Sequence, residues 1–157
     1  EVRPKEEPFP EFLEDIGDSL IALCRDSSVR LTYHVSAPEC TAVFDSALLY
    51  RILENLVGNA LRYARSAITL EFNLEGSLLA ATVIDDGPGF SEAVLRREGS
   101  LFLSEDVSDG HLGLGLTTSR IFCRKLGGSL EVSNCDRGAC AKVLIAVERP
   151  RGGNTGN

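Results

Sequence analysis

Asn55 and Asn59 stand one helical turn apart in Arg51-Ile-Leu-Glu-Asn55-Leu-Val-Gly-Asn59-Ala-Leu-Arg62-Tyr63, and that spacing can do chemistry. A carboxamide oxygen is a neutral, hard ligand suited to a divalent cation such as Mg²⁺, and an arginine one turn on can meet the phosphates such a cation accompanies. The residues are costly where they stand, because two Asn and Gly58 each lose about 0.5–1 kcal/mol against Ala in a helix interior. A merely solvated face is ordinarily built from Glu, Lys and Gln. A second candidate is Asp85-Asp86-Gly87-Pro88-Gly89-Phe90. Its carboxylate can accept a hydrogen bond from an exocyclic amine such as that of adenine, and its glycines let the backbone approach a flat ligand. The same composition also makes an ordinary tight turn. The third is Gly110-His111-Leu112-Gly113-Leu114-Gly115-Leu116-Thr117-Thr118 at the opening of a helix. There, free N–H groups and the helix dipole attract phosphate, although a glycine hinge reads alike. It is neither a dinucleotide fingerprint nor a Walker A loop, since no parallel βαβ unit surrounds it and no Gly-Lys-Ser/Thr follows.

These residues need elements to hold them. Leu48, Leu49, Ile52, Leu53, Leu56, Val57, Ala60 and Leu61 recur at helical steps, which makes one broad buried face with Arg51, Asn55, Asn59 and Arg62 on a polar stripe beside it. Asp45 or Ser46 caps that helix. Ala67 to Leu74 and Leu78 to Ile84 read as strands joined by a hairpin turn at Glu75-Gly76, and the second runs straight into Asp85. Upstream come a helix from Pro10 and strands at Val29 to Val35 and Thr41 to Phe44. Downstream, a short helix around Glu92 to Arg97 leads into a long aperiodic segment, then a helix from about Gly115 to Leu126, stopped by Gly127-Gly128. The strands Ser129 to Ser133 and Ala139 to Val147 close the domain. Strand pairs joined by tight turns are antiparallel. The expected architecture is an α/β (α+β) two-layer sandwich, a mixed and largely antiparallel sheet with helices on one face.

The 157 residues, 43% apolar and 25% charged, suit one globular domain with a full core. Pro4, Pro8 and Pro10 among mixed charges mark 1–9 as a linker remnant, 10–148 as the domain and 149–157 as a disordered tail. No apolar run approaches the roughly 20 residues of a membrane span. A net charge of −7 disfavours a nucleic-acid partner. Five cysteines without a CxxC pair suggest reduced thiols in the cytoplasm; Cys135 and Cys140 could face each other across a hairpin, but read first as buried thiols. The chain begins at Glu1 and has no methionine, and reads as a piece of a longer protein.

The order of the motifs, an Asn-x-x-x-Asn-Ala helix, Asp-x-Gly-x-Gly after a strand, then Gly-Leu-Gly-Leu, resembles the N, G1 and G2 boxes of the GHKL ATP-binding superfamily. Within it the chain is most similar to the catalytic ATP-binding domain of bacterial two-component sensor histidine kinases, over about residues 10–148, including Leu126-Gly-Gly-Ser-Leu-Glu-Val132. The resemblance implies a Bergerat-type fold, ATP and Mg²⁺ as cofactors, and the following roles. Asn59 holds Mg²⁺ with Asn55 assisting, Arg62 neutralises the phosphates, and Tyr63 stacks on adenine. Asp85 reads the adenine amino group, with Gly87, Gly89 and Phe90 close to the base. Leu112, Gly113, Leu114, Gly115 and Leu116 form the phosphate-side loop, and 91–112 the ATP lid, where Phe102 loosely matches a lid phenylalanine. His111-Leu112 departs from the usual Gly-Ser/Thr of that loop.

It also implies partners: an upstream dimerisation domain carrying the phosphoacceptor histidine, and a response regulator reached through the full-length kinase. The full-length protein would be a homodimer, this piece a monomer, and the site cytoplasmic, in a membrane-anchored sensor. Neither His34 nor His111 has the acceptor's setting. Members that hydrolyse ATP, such as gyrase B subunits, carry Glu at the position of Asn55 as base on water, and Asn cannot take that proton. Two other readings stand beside this one: an anti-sigma-type serine kinase, and a non-catalytic partner-binding domain of the same fold.

Overall fold

The computed structural model describes residues 1–97 and 111–150, with 111–115 described by backbone alone. In chain order the elements are β1 (Lys5–Phe9), α1 (Glu11–Leu23), β2 (Arg30–Ser36), β3 (Cys40–Phe44), α2 (Ser46–Tyr63), β4 (Ala67–Glu75), β5 (Leu78–Asp85), α3 (Glu92–Arg96), α4 (His111–Lys125), β6 (Ser129–Asn134) and β7 (Ala139–Ala146). Five strands form one sheet in the order β2-β4-β5-β7-β6. β2 runs parallel to β4, with α2 in the connection between them, and every other pair is antiparallel. The mixed sheet with helices on one face is therefore as expected.

Alternation decides which face they cover. Leu70 pairs with Val83, Phe72 with Ala81 and Leu74 with Leu79, and the row continues through Val83–Ala141 and Val132–Ala141. All these side chains are buried, whereas their sequence neighbours Glu71, Asn73 and Glu131 are exposed on the opposite face. α2 lays Leu49, Ile52, Leu53, Leu56 and Val57 on that apolar row, all at most 3% exposed. Its start is fixed by Asp45, which accepts the Leu48 N–H at 3.0 Å and the Arg3 N–H at 2.8 Å.

That last bond belongs to a correction. Lys5–Phe9, expected as linker, is a strand paired antiparallel with β3, from Lys5 opposite Phe44 to Phe9 opposite Cys40. Phe9 is buried edge-on against Phe44, ring centroids 5.9 Å apart, and Glu7 accepts a hydrogen bond from the Ser46 hydroxyl. Proline is tolerated because Pro8 sits in a two-stranded ribbon and not in the central sheet. A second correction is the start of α4, at His111 and not at Gly115, so Gly113 and Gly115 lie within its first turns. A third concerns the thiols: all five cysteines are free, but Cys135 is exposed and Cys140 only half-buried where buried thiols are expected, and Cys140 faces Ser133 across the hairpin. Most of the expected lid, Phe102 included, and the tail from 151 onward lie outside the described residues.

Candidate functional site

A cleft opens where the C-terminal half of α2 faces the end of β5. Leu56, Asn59, Ala60 and Tyr63 form its helix wall, and Val83, Asp85, Ala139 and Ala141 its strand wall. Gly89, Phe90 and Leu116 close the remaining sides. The lining is apolar except at a few points, as in small-molecule sites generally.

Asp85 is the polar point of the strand wall, only 6% exposed. Burial pushes its carboxyl above the ordinary carboxylate range, and N–H donors from Gly87, at 2.8 Å, and Ala139 partly oppose this. Its neighbour Asp86 turns the other way. It accepts from the Ser66 N–H at 3.0 Å, the Ser66 hydroxyl at 2.7 Å and the Arg65 N–H at 2.7 Å, and these bonds hold its carboxyl well below the usual range. Asp86 thus ties the segment after α2 to the end of β5. The approach is close: a Cβ on Gly87 would lie 2.2 Å from the Tyr63 carbonyl oxygen, a contact no side chain can make. Gly89 has φ +91°, which favours glycine.

On the helix wall Asn59 is half-buried, and its amide nitrogen is buried without a hydrogen-bond partner. Such an orphan asks for a ligand, because an unmet buried polar atom costs on the order of 1–3 kcal/mol. Turning the carboxamide presents its oxygen instead, the hard neutral donor that a Mg²⁺ ion accepts. No group of three or more His, Cys, Asp or Glu among the described residues is placed to hold a metal. Mg²⁺ keeps several waters and takes few protein ligands beside substrate phosphates, so a site offering the carboxamide of Asn59 is compatible with it.

The structure thus brings together Asn59, Tyr63, Asp85, Gly89, Phe90 and Leu116, with Gly87 packed directly behind Asp85. Tyr63 lines the cleft yet stays 40% exposed. Asn55 and Arg62 lie on α2 outside this lining. Leu112, Gly113, Leu114 and Gly115 lie on the first turns of α4. From the sequence Leu56, Ala60, Val83, Ala139 and Ala141 read only as core or strand residues, because periodicity marks burial and not the cavity beside it. Asn134 and Gly138 carry no signal in the sequence. Asn134 binds the Phe90 N–H and carbonyl, and a Cβ on Gly138 would lie 2.4 Å from the Asp85 carbonyl oxygen.

Residues 44–150 match the profile of the histidine kinase-, DNA gyrase B- and HSP90-like ATPase family. Sensor protein RstB of Escherichia coli is 32% identical over 140 residues, covering 87% of this chain and 31% of RstB. The chain thus spans about a third of that relative's length, and 16% of the sensor protein KdpD of Mycobacterium tuberculosis, 28% identical over 145 residues that make up 88% of this chain. Among solved structures, full-length ShkA in complex with AMPPNP superposes with a TM-score of 0.76 at 20% identity, over 96% of this chain and 32% of ShkA. The catalytic domain of histidine kinase ThkA gives 0.74 at 18% identity, over 92% of this chain and 96% of that one.

Proposed function

The chain belongs to the histidine kinase-, DNA gyrase B- and HSP90-like ATPase family, and from that premise we propose that it is the part of a two-component sensor histidine kinase that binds Mg-ATP and presents its γ-phosphate to a histidine. The observation that carries this reading is Asp85, a buried carboxylate at the end of an otherwise apolar cleft, with the unpartnered Asn59 amide on the facing wall. Adenine is flat, largely apolar and carries one exocyclic amine. Seated between the two walls with Tyr63 against its open face, it would donate that amine to Asp85 and shed water from both rings. Mg²⁺, held by the carboxamide of Asn59 with Asn55 alongside, would neutralise charge on the phosphates. Arg62, exposed one turn beyond Asn55–Asn59, adds a second positive charge there.

Phosphoryl transfer asks mainly for positioning and charge neutralisation. Asn55, being unable to accept a proton, gives the domain no base for water, which favours transfer over hydrolysis. The nucleophilic imidazole then comes from an upstream dimerisation domain, and the phosphoryl group passes on to a response regulator, in the cytoplasm. The relatives' names as sensor proteins support this assignment, and so does the unsuitable setting of this chain's own His34, on a strand.

Incubating the chain with γ-labelled ATP and a separately produced helical-hairpin domain bearing a histidine tests it. Label that survives alkali and is lost in acid, on the hairpin only, is expected. Label on a serine of another protein would favour the anti-sigma-type kinase instead, and transfer to neither would refute a kinase role.

A further inference from the structure

We propose that Asn134 is a nucleotide-positioning residue, a clamp reaching from the β6–β7 hairpin that fixes the loop against which the base rests. The proposal rests on the nucleotide reading above and adds a residue to it. The Asn134 carboxamide oxygen accepts the Phe90 N–H at 2.8 Å, and its nitrogen donates to the Phe90 carbonyl at 3.0 Å. One side chain thereby acts on Phe90 as a neighbouring strand would, across 44 residues of sequence. The loop is fitted around it: a Cβ on Gly89 would lie 2.9 Å from the Asn134 amide oxygen.

Gly89 and Phe90 both line the cleft, so the clamp sets where that side stands relative to Asp85. The same hairpin also reaches Asp85 itself, through the Ala139 N–H and the tight packing of Gly138 on the Asp85 carbonyl. Asn134 is exposed and the bonds it makes to the loop are to backbone. Its removal leaves no core cavity, and any effect on a ligand must pass through Phe90 and Gly89. A loop freed from the clamp has to be ordered by the ligand, and that ordering is subtracted from affinity.

Calorimetry on the 157-residue chain with ADP and with GDP, well below the melting temperature, reads this out. Asn134→Ala is expected to weaken ADP binding about tenfold, the size of one to two neutral hydrogen bonds, and to narrow the ADP-to-GDP ratio. Asn134→Asp keeps the acceptor for the Phe90 N–H but sets a carboxylate against the Phe90 carbonyl, and should fall between Ala and wild type. It decides the matter if the Ala variant does not fold. ADP affinity and selectivity equal to wild type in the folded variants, with or without a drop in melting temperature, would overturn the clamp. No ADP binding by the wild-type chain would overturn the nucleotide reading and the clamp with it.

Discussion

On the strand wall of the cleft Asp85 finds its partners inside the protein, as do Asp86 and Asn134 beside it, whereas on the helix wall the Asn59 amide nitrogen is buried with none. Three glycines let the strand side pack closely: Gly87 against the Tyr63 carbonyl at the end of α2, Gly89 against Asn134 and Gly138 against Asp85. α2 contributes the opposite. Its polar stripe carries Asn where the helix would be more stable with Ala, and one of those Asn is left unsatisfied. The strand wall is held by bonds within the protein; on the proposed reading, a ligand would complete the helix wall.

The largest effect should come from breaking the strand wall. Gly87→Ala places a methyl group 2.2 Å from a backbone oxygen, so α2 and β5 must separate. A loss of about 1–3 kcal/mol in stability is expected, with nucleotide binding abolished, as read by denaturant titration and calorimetry. Normal binding by this variant would mean that the wall is not rigid. A smaller effect of opposite sign should follow on the helix wall. Asn59→Ala removes both a poor helix former and an orphaned donor, so stability should rise by about 1 kcal/mol while Mg-ATP affinity falls. A shift of the denaturant midpoint at constant slope would check the first half. A stability loss on Asn59→Ala would contradict the view that this side chain waits for a ligand.

What the sequence could reveal divides along the same line. α2, the β4–β5 hairpin and the Asp85–Phe90 turn are local patterns, readable because periodicity, a cap and turn residues lie within a few positions of one another. β1 was not readable, since Lys5-Glu-Glu-Pro-Phe9 has no strand propensity of its own and is held by pairing with Cys40–Phe44 and by the burial of Phe9. Asn134 and Gly138 were hidden for the same reason, being polar or small residues whose partners come from the end of β5 and the loop after it. Asn59 could be singled out as an anomaly of composition, but only the structure places it in the lining of a cleft that also holds Asp85, with its amide nitrogen buried and unpartnered.

The central claim, that Asp85 reads the base of an adenine nucleotide, is tested most directly by measuring ATP affinity and thermal stability together in Asp85→Asn. Because burial raises the folded-state pKa of Asp85, its charged form costs stability at neutral pH, a cost relieved only as the pH falls through that raised value. Replacing it with a neutral group of the same shape should therefore leave the melting temperature unchanged or higher, while ATP binding disappears. ATP affinity equal to that of the wild-type chain, in a variant that is still folded, would contradict the assignment.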